Sequence, residues 1–211
     1  MSVCEALHAW ANALPALHFP FDETNIPLNG IYILFEKGET AHGTNRIVRV
    51  GTHTGDNQLR SRLRQHFLVE NKDRSIFRKN IGRALLNSDG DPFLPFWELY
   101  LTSRTMKDKH GGIDLDQQRG IELTVSKYIR EHFSFVVVRL DEKSERLRLE
   151  SKMISTVSLC DACVPSAQWL GLSSPIKKIR ESGLWIVNEL YKEPLSDDDF
   201  ERLRAIASRS L

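Results

Sequence analysis

Apolar runs that follow turn residues predict three β-strands. Gly30 precedes IYILFE, a β-branched and aromatic run that is typical of a strand. Residues 46–51, RIVRVG, form a second such run, and the polar segment KGETAHGTN between the two predicts a β-hairpin with a long loop. The third run, FSFVVVRL, covers residues 133–140. The pattern therefore predicts a small, largely antiparallel sheet.

Apolar residues at helical spacing predict helices around these strands. Leu59, Leu63 and Phe67 recur every four residues in QLRSRLRQHF, which predicts a helix with a narrow apolar stripe. An amphipathic helix is predicted over residues 1–20, ending near Pro20. Further helices are predicted over residues 75–86, about 116–132 and 146–160, and over the end of the chain, where Ser196 is a suitable N-cap.

Together these elements predict a mixed α/β chain of the α+β type, with a small three-stranded sheet flanked by helices. We divide the chain into an N-terminal helical segment (1–27), a core (28–160) and a helical C-terminal extension (161–211). The extension carries two tryptophans and turn residues at intervals, which indicates an ordered segment packed on the core.

Composition narrows the class of protein. Hydrophobic residues make up 41% of the 211 residues and charged residues 27%, which is typical of a globular chain and excludes a disordered or fibrous one. The apolar stretches are far shorter than the roughly 18 residues of a membrane span. The start, MSVCEALHAW, lacks the basic and apolar pattern of a secretory signal. We therefore expect no membrane association and a cytoplasmic location.

The formal net charge of +1 conceals a basic block. Residues 46–83 contain ten Lys and Arg but only three Asp and Glu. Such a block indicates a surface that faces a polyanion, or a solvated helical face.

Three cysteines do not make a disulfide framework. Cys160 and Cys163 form a C-x-x-C motif at the end of a predicted helix. A structural zinc site needs four ligands, and neither a second pair nor a nearby histidine follows, so no zinc site is predicted. The cysteines are interpreted as structural.

Three residues on two predicted helices are candidates for chemistry. Glu150 falls inside the apolar face of its own helix, where a carboxylate needs an internal ion pair or a metal ion. Arg62 and His66 lie one turn apart at the margin of a buried stripe. There a guanidinium can grip a phosphate, although a surface arginine beside a half-buried histidine fits the same spacing.

Taken in order, these elements resemble the GIY-YIG nuclease superfamily over about residues 28–160. The resemblance rests on Gly30-Ile31-Tyr32, on Arg49-Val50-Gly51 followed by Thr52-His53, on Arg62 and His66, and on Glu150. The chain departs from the family pattern where Arg49 replaces the second tyrosine. It also lacks the asparagine that many members carry after the glutamate, and Asp161 and Gln168 are the nearest polar candidates. The tail resembles the extension of some restriction-type members.

The resemblance implies hydrolysis of a DNA phosphodiester by an activated water. Tyr32 would take the proton of the water, directly or in concert with His53 or His66. Arg49 or Arg62 would supply the positive field that favours the phenolate form of Tyr32.

The resemblance also implies a metal and a partner. Arg62 would stabilise the charge on the phosphate, and Glu150 would hold one Mg²⁺ or Mn²⁺. DNA, in double-stranded form, is the expected partner, and the chain could act as a homodimer. The residues that would contact the flanking phosphate backbone are Arg60, Arg64, Arg74, Arg78, Lys79 and Arg83. Two rival hypotheses remain: a nucleic-acid-binding protein that has lost turnover, and a protein-interaction domain whose basic block faces an acidic partner.

Overall fold

A computed structural model describes residues 1–101 and 112–208. The strands are β1 (Leu17–His18), β2 (Gly30–Ala41), β3 (Thr44–Gly51) and β4 (Phe133–Arg139). The helices are α1 (Val3–Ala13), α2 (Leu59–Phe67), α3 (Ile76–Ser88), α4 (Leu94–Trp97), α5 (Leu115–His132), α6 (Lys143–Ser158), α7 (Lys177–Ser182) and α8 (Asp197–Ser208). Short 3-10 turns cover Glu23–Asn25, Lys72–Arg74 and Leu170–Ser173.

The strands form one antiparallel sheet in the order β1-β4-β2-β3, which confirms the α+β class. The sheet has four strands rather than the predicted three, because the two-residue strand β1 pairs with β4. The first helix ends at Ala13, well before Pro20. Pro15 accounts for this early end, since a proline disfavours helical geometry in the residue before it.

The hairpin between β2 and β3 is tighter than the sequence predicts. Strand β2 continues to Ala41, which pairs with Thr44, so the expected long loop shrinks to His42 and Gly43. Both turn residues have a positive φ, 53° and 73°. That is the geometry of the two-residue hairpin turn whose twist matches the flanking strands.

A register shift in β3 decides which side chains face the site. Leu34 pairs with Arg49, whereas the next residue of β2, Phe35, pairs with Ile47, so Val48 is the extra residue of a bulge. Strict alternation predicts that Ile47 and Arg49 share a face. The bulge instead places Ile47 on the opposite face of the sheet, among a different set of apolar residues.

Apolar residues fill both faces of the sheet. Helices α1, α6 and α8 cover one face, where Leu7, Leu149 and Leu203 are buried. Helices α2, α3 and α5 cover the other, where Leu63 and Ile81 are buried. In the described part of the chain, no helix is both long and apolar enough to span a membrane.

The C-terminal segment packs on this core. The indole N–H groups of Trp169 and Trp185 both donate to Glu36 Oε2, at 2.7 and 2.8 Å. Burial raises the pKa of Glu36, while these hydrogen bonds and one from Tyr128 act in the opposite direction. Residues 209–211, the end of the predicted extension, lie outside the described residues.

Candidate active site

A cleft of about 490 Å³ opens where β2, β3, α2 and α6 meet. Its walls include five of the six residues that the sequence singled out for catalysis: Tyr32, Arg49, His53, Arg62 and Glu150. The sixth, His66, lies directly behind Tyr32. The topology therefore brings together residues from distant parts of the chain.

Gly51 makes room for the Tyr32 ring. The two residues pair across the hairpin, and a Cβ atom on Gly51 would lie 2.3 Å from the Tyr32 hydroxyl oxygen. Any larger residue would force the phenol out of its position. The space that the Tyr32 ring needs therefore explains why the motif has a glycine at this position.

A chain of hydrogen bonds runs inward from the Tyr32 hydroxyl. It lies 2.8 Å from His66 Nε2, and His66 Nδ1 lies 2.7 Å from Ser75 Oγ. Burial lowers the pKa of His66 well below its usual value, and the nearby Arg49, Arg62 and Arg78 lower it further. The imidazole is therefore neutral, and a neutral ring donates through one nitrogen and accepts through the other. We assign the proton to Nδ1, which leaves Nε2 to accept from Tyr32.

Arg49 faces the same hydroxyl group. Its Nε–H group donates to the Tyr32 oxygen at 3.3 Å, and an Nη–H group donates to the Trp185 carbonyl. Its guanidinium carbon also lies 5.4 Å from the centre of the Phe77 ring. A fixed cation thus stands beside Tyr32 where the family pattern has a second tyrosine.

His53 is held by backbone groups. Its Nδ1–H group donates to the Gly55 carbonyl at 2.6 Å, and its Nε2 accepts from the Gly30 N–H group at 3.4 Å. Burial lowers the pKa of His53. Both ring nitrogens are therefore occupied, which makes His53 a support for the 52–55 loop in this arrangement.

Glu150 is a half-buried carboxylate in the cleft. Burial raises the pKa of Glu150 to about 7, against the opposing influence of Arg49, a Thr52 backbone hydrogen bond and Arg62. Within residues 1–101 and 112–208 it forms no ion pair, so the internal pair considered from the sequence is not observed. A carboxylate that lacks a neutralising partner suits a divalent cation, which one or two carboxylates commonly hold.

Arg62 lies in the wall of the cleft on α2. None of the described residues pairs with or hydrogen-bonds its guanidinium group. Its planar fork of N–H groups is therefore available for a phosphate.

Sequence reasoning missed two residues of the cleft, Asn188 and Glu189, which come from the C-terminal segment. The candidates proposed for the family's asparagine, Asp161 and Gln168, are exposed and do not line the cleft. No local pattern marks Asn188, because it lies in a turn and reaches the site through the docking of Trp185.

The structure corrects the interpretation of part of the basic block. Arg78 is fully buried and pairs with Glu122 at 2.8 Å. Lys79 is also buried, and its ammonium group donates to the Glu98 carbonyl at 2.7 Å. Neither can contact a DNA backbone, which contradicts the prediction for these two residues. Charge counting missed this because both cations stabilise the interior.

The other four candidates differ in accessibility. Arg83 is bound to the Glu98 carboxylate, and Arg60 donates to the Ile26 carbonyl. Arg64 pairs with Glu23 but remains 54% exposed at the side chain. Arg74 is exposed. The cations best placed for solvent contacts are therefore Arg64 and Arg74.

Comparison with known proteins adds one positive finding. A family model described as the GIY-YIG domain matches residues 7–209, which is nearly the whole chain and more than the stretch that carries the motifs. Comparisons with curated proteins and with solved structures gave no match. On this match, and with the motif residues gathered in one cleft, the chain belongs to the GIY-YIG nuclease superfamily.

Proposed function

We propose that this protein is an endonuclease that hydrolyses DNA phosphodiester bonds with one divalent metal ion at Glu150. The observation that carries the proposal is the arrangement of the cleft. The Tyr32 hydroxyl is hydrogen-bonded to a neutral His66, and it shares the cleft with the Glu150 carboxylate, which forms no ion pair with any described residue.

Tyr32 activates the water in this proposal. The hydrogen bond of 2.8 Å to His66 Nε2 holds the phenol in position, and the Tyr32 oxygen, in its phenolate form, accepts the proton of the attacking water. The positive charge of Arg49 beside the oxygen favours phenolate character during the transfer. Arg49 is not itself the base, because a guanidinium stays protonated.

Arg62 binds the phosphate. Its guanidinium, which pairs with none of the described residues, lines the same cleft as Tyr32 and is suited to the extra negative charge that develops on phosphorus-bound oxygens in the transition state. Such stabilisation is often the largest single contribution to catalysis.

Glu150 would hold the metal ion, with Asn188 and Glu189 nearby in the same cleft. Mg²⁺ or Mn²⁺, when bound, would neutralise charge on the phosphate and on the leaving oxygen. Oxygen donors are the ligands that both ions prefer.

Double-stranded DNA is the proposed substrate. Arg64 and Arg74, the exposed members of the basic block, would contact flanking phosphates, which position the duplex without reading its sequence. Arg49 in place of the second tyrosine favours one rival reading, a DNA-binding protein without turnover.

A nicking assay on supercoiled plasmid separates the two. We expect nicked and linear products with Mg²⁺ or Mn²⁺ and none with EDTA. Salt-dependent DNA binding without cleavage in either metal would contradict the endonuclease proposal and support the hypothesis of a DNA-binding protein without turnover. Absence of both binding and cleavage would refute the proposal and its rival together.

A further inference from the structure

Three cysteines and a histidine converge beside the face of the sheet that α1, α6 and α8 cover, and none of the four lines the nuclease cleft. Cys4 comes from α1, His42 from the β2–β3 turn, and Cys160 and Cys163 from the segment that follows α6. Their ligand atoms all lie within 4.8 Å of one another. Cys4 and Cys163 are separated by 159 positions in the chain, so no local pattern could reveal the cluster.

The spacing of these atoms matches a tetrahedral metal site. Ligands that surround one zinc ion at Zn–S of about 2.3 Å and Zn–N of about 2.05 Å lie roughly 3.6–3.8 Å apart. Cys4 Sγ lies 3.6 Å from Cys163 Sγ, and His42 Nε2 lies 3.4 Å from Cys160 Sγ and 3.7 Å from Cys163 Sγ. A disulfide is not present, since all three cysteines are free.

A second histidine touches the cluster but is not available as a ligand. His8 Nδ1 lies 2.9 Å from the Cys4 carbonyl, and its Nε2 accepts from the Ile47 N–H group at 3.2 Å. Both ring nitrogens are therefore engaged by backbone groups. Of the two histidines, His42 is the one that turns a nitrogen toward the thiols without such a backbone bond.

We propose that Cys4, His42, Cys160 and Cys163 bind a structural Zn²⁺ ion. Three thiolates and one imidazole in a closed tetrahedral set are the donor chemistry of structural zinc sites. The set offers no open position for substrate, and its soft sulfur donors distinguish it from the oxygen donors of the cleft. The proposal differs from the sequence-based interpretation, in which the cysteines are structural and no zinc site is predicted.

The proposed ion would join three parts of the fold. It would tie α1 and the tip of the hairpin to the segment that begins the C-terminal extension. That segment continues to Trp185, whose carbonyl accepts from Arg49, and to the cleft residues Asn188 and Glu189. Zinc binding thus stabilises the docking of the extension that completes the active site.

The test is the zinc content of the full-length protein, purified under reducing conditions without chelators and measured by plasma mass spectrometry. We expect about one zinc per chain, as for a four-ligand structural site. Cys160→Ser and His42→Asn should lose most of this zinc. Both side chains are only part-buried, and asparagine tolerates the positive φ of residue 42, so these variants keep the best chance of folding.

Two controls locate the ion. His18→Asn changes an exposed histidine outside the cluster, and Glu150→Gln changes the proposed metal ligand of the cleft. Both should retain zinc at the wild-type ratio. Removing zinc from the wild type with a strong chelator should lower its Tm, because metal binding is coupled to folding. The same treatment should leave the Tm of His42→Asn unchanged.

Measurements on the wild type alone keep the proposal open to refutation if a variant fails to fold. A thiol-specific mercurial should release the zinc, and cobalt reconstitution should give the absorption of a tetrahedral thiolate site. The proposal is overturned by a metal-free wild type that does not take up zinc. It is also overturned if the wild type contains iron instead of zinc, or if freshly blocked protein contains a Cys4–Cys163 disulfide. A Glu150→Gln variant that loses its zinc while Cys160→Ser retains it would overturn the proposal as well.

Discussion

The Tyr32 hydroxyl lies 2.8 Å from His66 Nε2, although the two residues are 34 positions apart. The bond joins strand β2 to helix α2 and crosses from the cleft to a fully buried imidazole. Burial and three arginines keep that imidazole neutral, so its Nε2 can accept the hydrogen bond of the Tyr32 hydroxyl at neutral pH. In the proposed mechanism Tyr32 is the group that contacts the water, and His66 lies behind it.

Tyr32→Phe should abolish most of the cleavage. The substitution removes the hydroxyl but leaves the ring that packs against Gly51, so the fold and the DNA affinity should be retained. We expect a rate roughly 10²–10⁴-fold lower, the usual contribution of general acid–base catalysis. Single-turnover nicking and DNA binding, measured side by side, check this.

Tyr191→Phe is the matched control, because Tyr191 is exposed and does not line the cleft. It should cleave at the wild-type rate. If Tyr32→Phe also does so, the proton is taken by another group and the proposed role of Tyr32 is wrong.

Arg49→Lys should shift the pH dependence of cleavage. Lysine cannot reproduce the fixed fork that reaches both the Tyr32 oxygen and the Trp185 carbonyl. With a weaker positive field at the phenol, the limb of the pH–rate profile on which the rate rises with pH should move to higher pH, and the rate at pH 7 should fall. Arg64→Lys is the control variant, because the Arg64 side chain is exposed and pairs with Glu23, and it should keep the wild-type pH–rate profile. An unchanged profile in Arg49→Lys would remove Arg49 from the proton transfer.

Glu150 should make stability depend on pH in the absence of metal. Its pKa of about 7 in the folded protein lies above the ordinary value of 4.5, so its contribution to stability is complete below pH 4.5 and is lost as the pH rises through 7. Glu150→Gln avoids ionisation and should raise the free energy of unfolding at pH 8 by up to about 3 kcal/mol. At pH 4.5 the difference between the two proteins should nearly vanish.

Urea unfolding in EDTA at the two pH values measures this difference. A Glu150→Gln protein that is less stable than the wild type at pH 8 would show that Glu150 takes part in a stabilising internal pair after all.

Substitutions of buried and exposed cations in the basic block should affect different properties, namely stability and DNA binding. Arg78→Met leaves Glu122 buried without its partner and should lower the free energy of unfolding by roughly 3–5 kcal/mol. Arg74→Ala, on the surface, should leave stability within about 0.5 kcal/mol of the wild type. It should also reduce the slope of log K against log salt by about one unit for DNA binding. An Arg78→Met protein of wild-type stability would contradict the buried pair.

The sequence could predict the elements that local patterns specify. Periodicity located the hairpin, the helix that carries Arg62 and His66, and the position of Glu150 within its helix. It failed where distant residues decide the outcome. The strand at Leu17–His18 exists because β4 offers it a partner, and the bulge at Val48 changes which face Ile47 occupies.

Neither the count of charges nor the spacing of residues could predict burial or long-range contacts. A count of cations could not show that Arg78 and Lys79 neutralise and cap buried groups. Likewise, a C-x-x-C motif gave no sign that Cys4 and His42 would join it in space.

The most direct test of the central claim is plasmid nicking by Glu150→Gln in Mg²⁺. Glutamine keeps the size of the side chain and removes the charge that would hold the cation in the cleft. We predict that the folded variant binds DNA with wild-type affinity but shows no metal-dependent cleavage. Wild-type cleavage by the folded Glu150→Gln protein would contradict the assignment of the metal to Glu150 and with it the proposed mechanism.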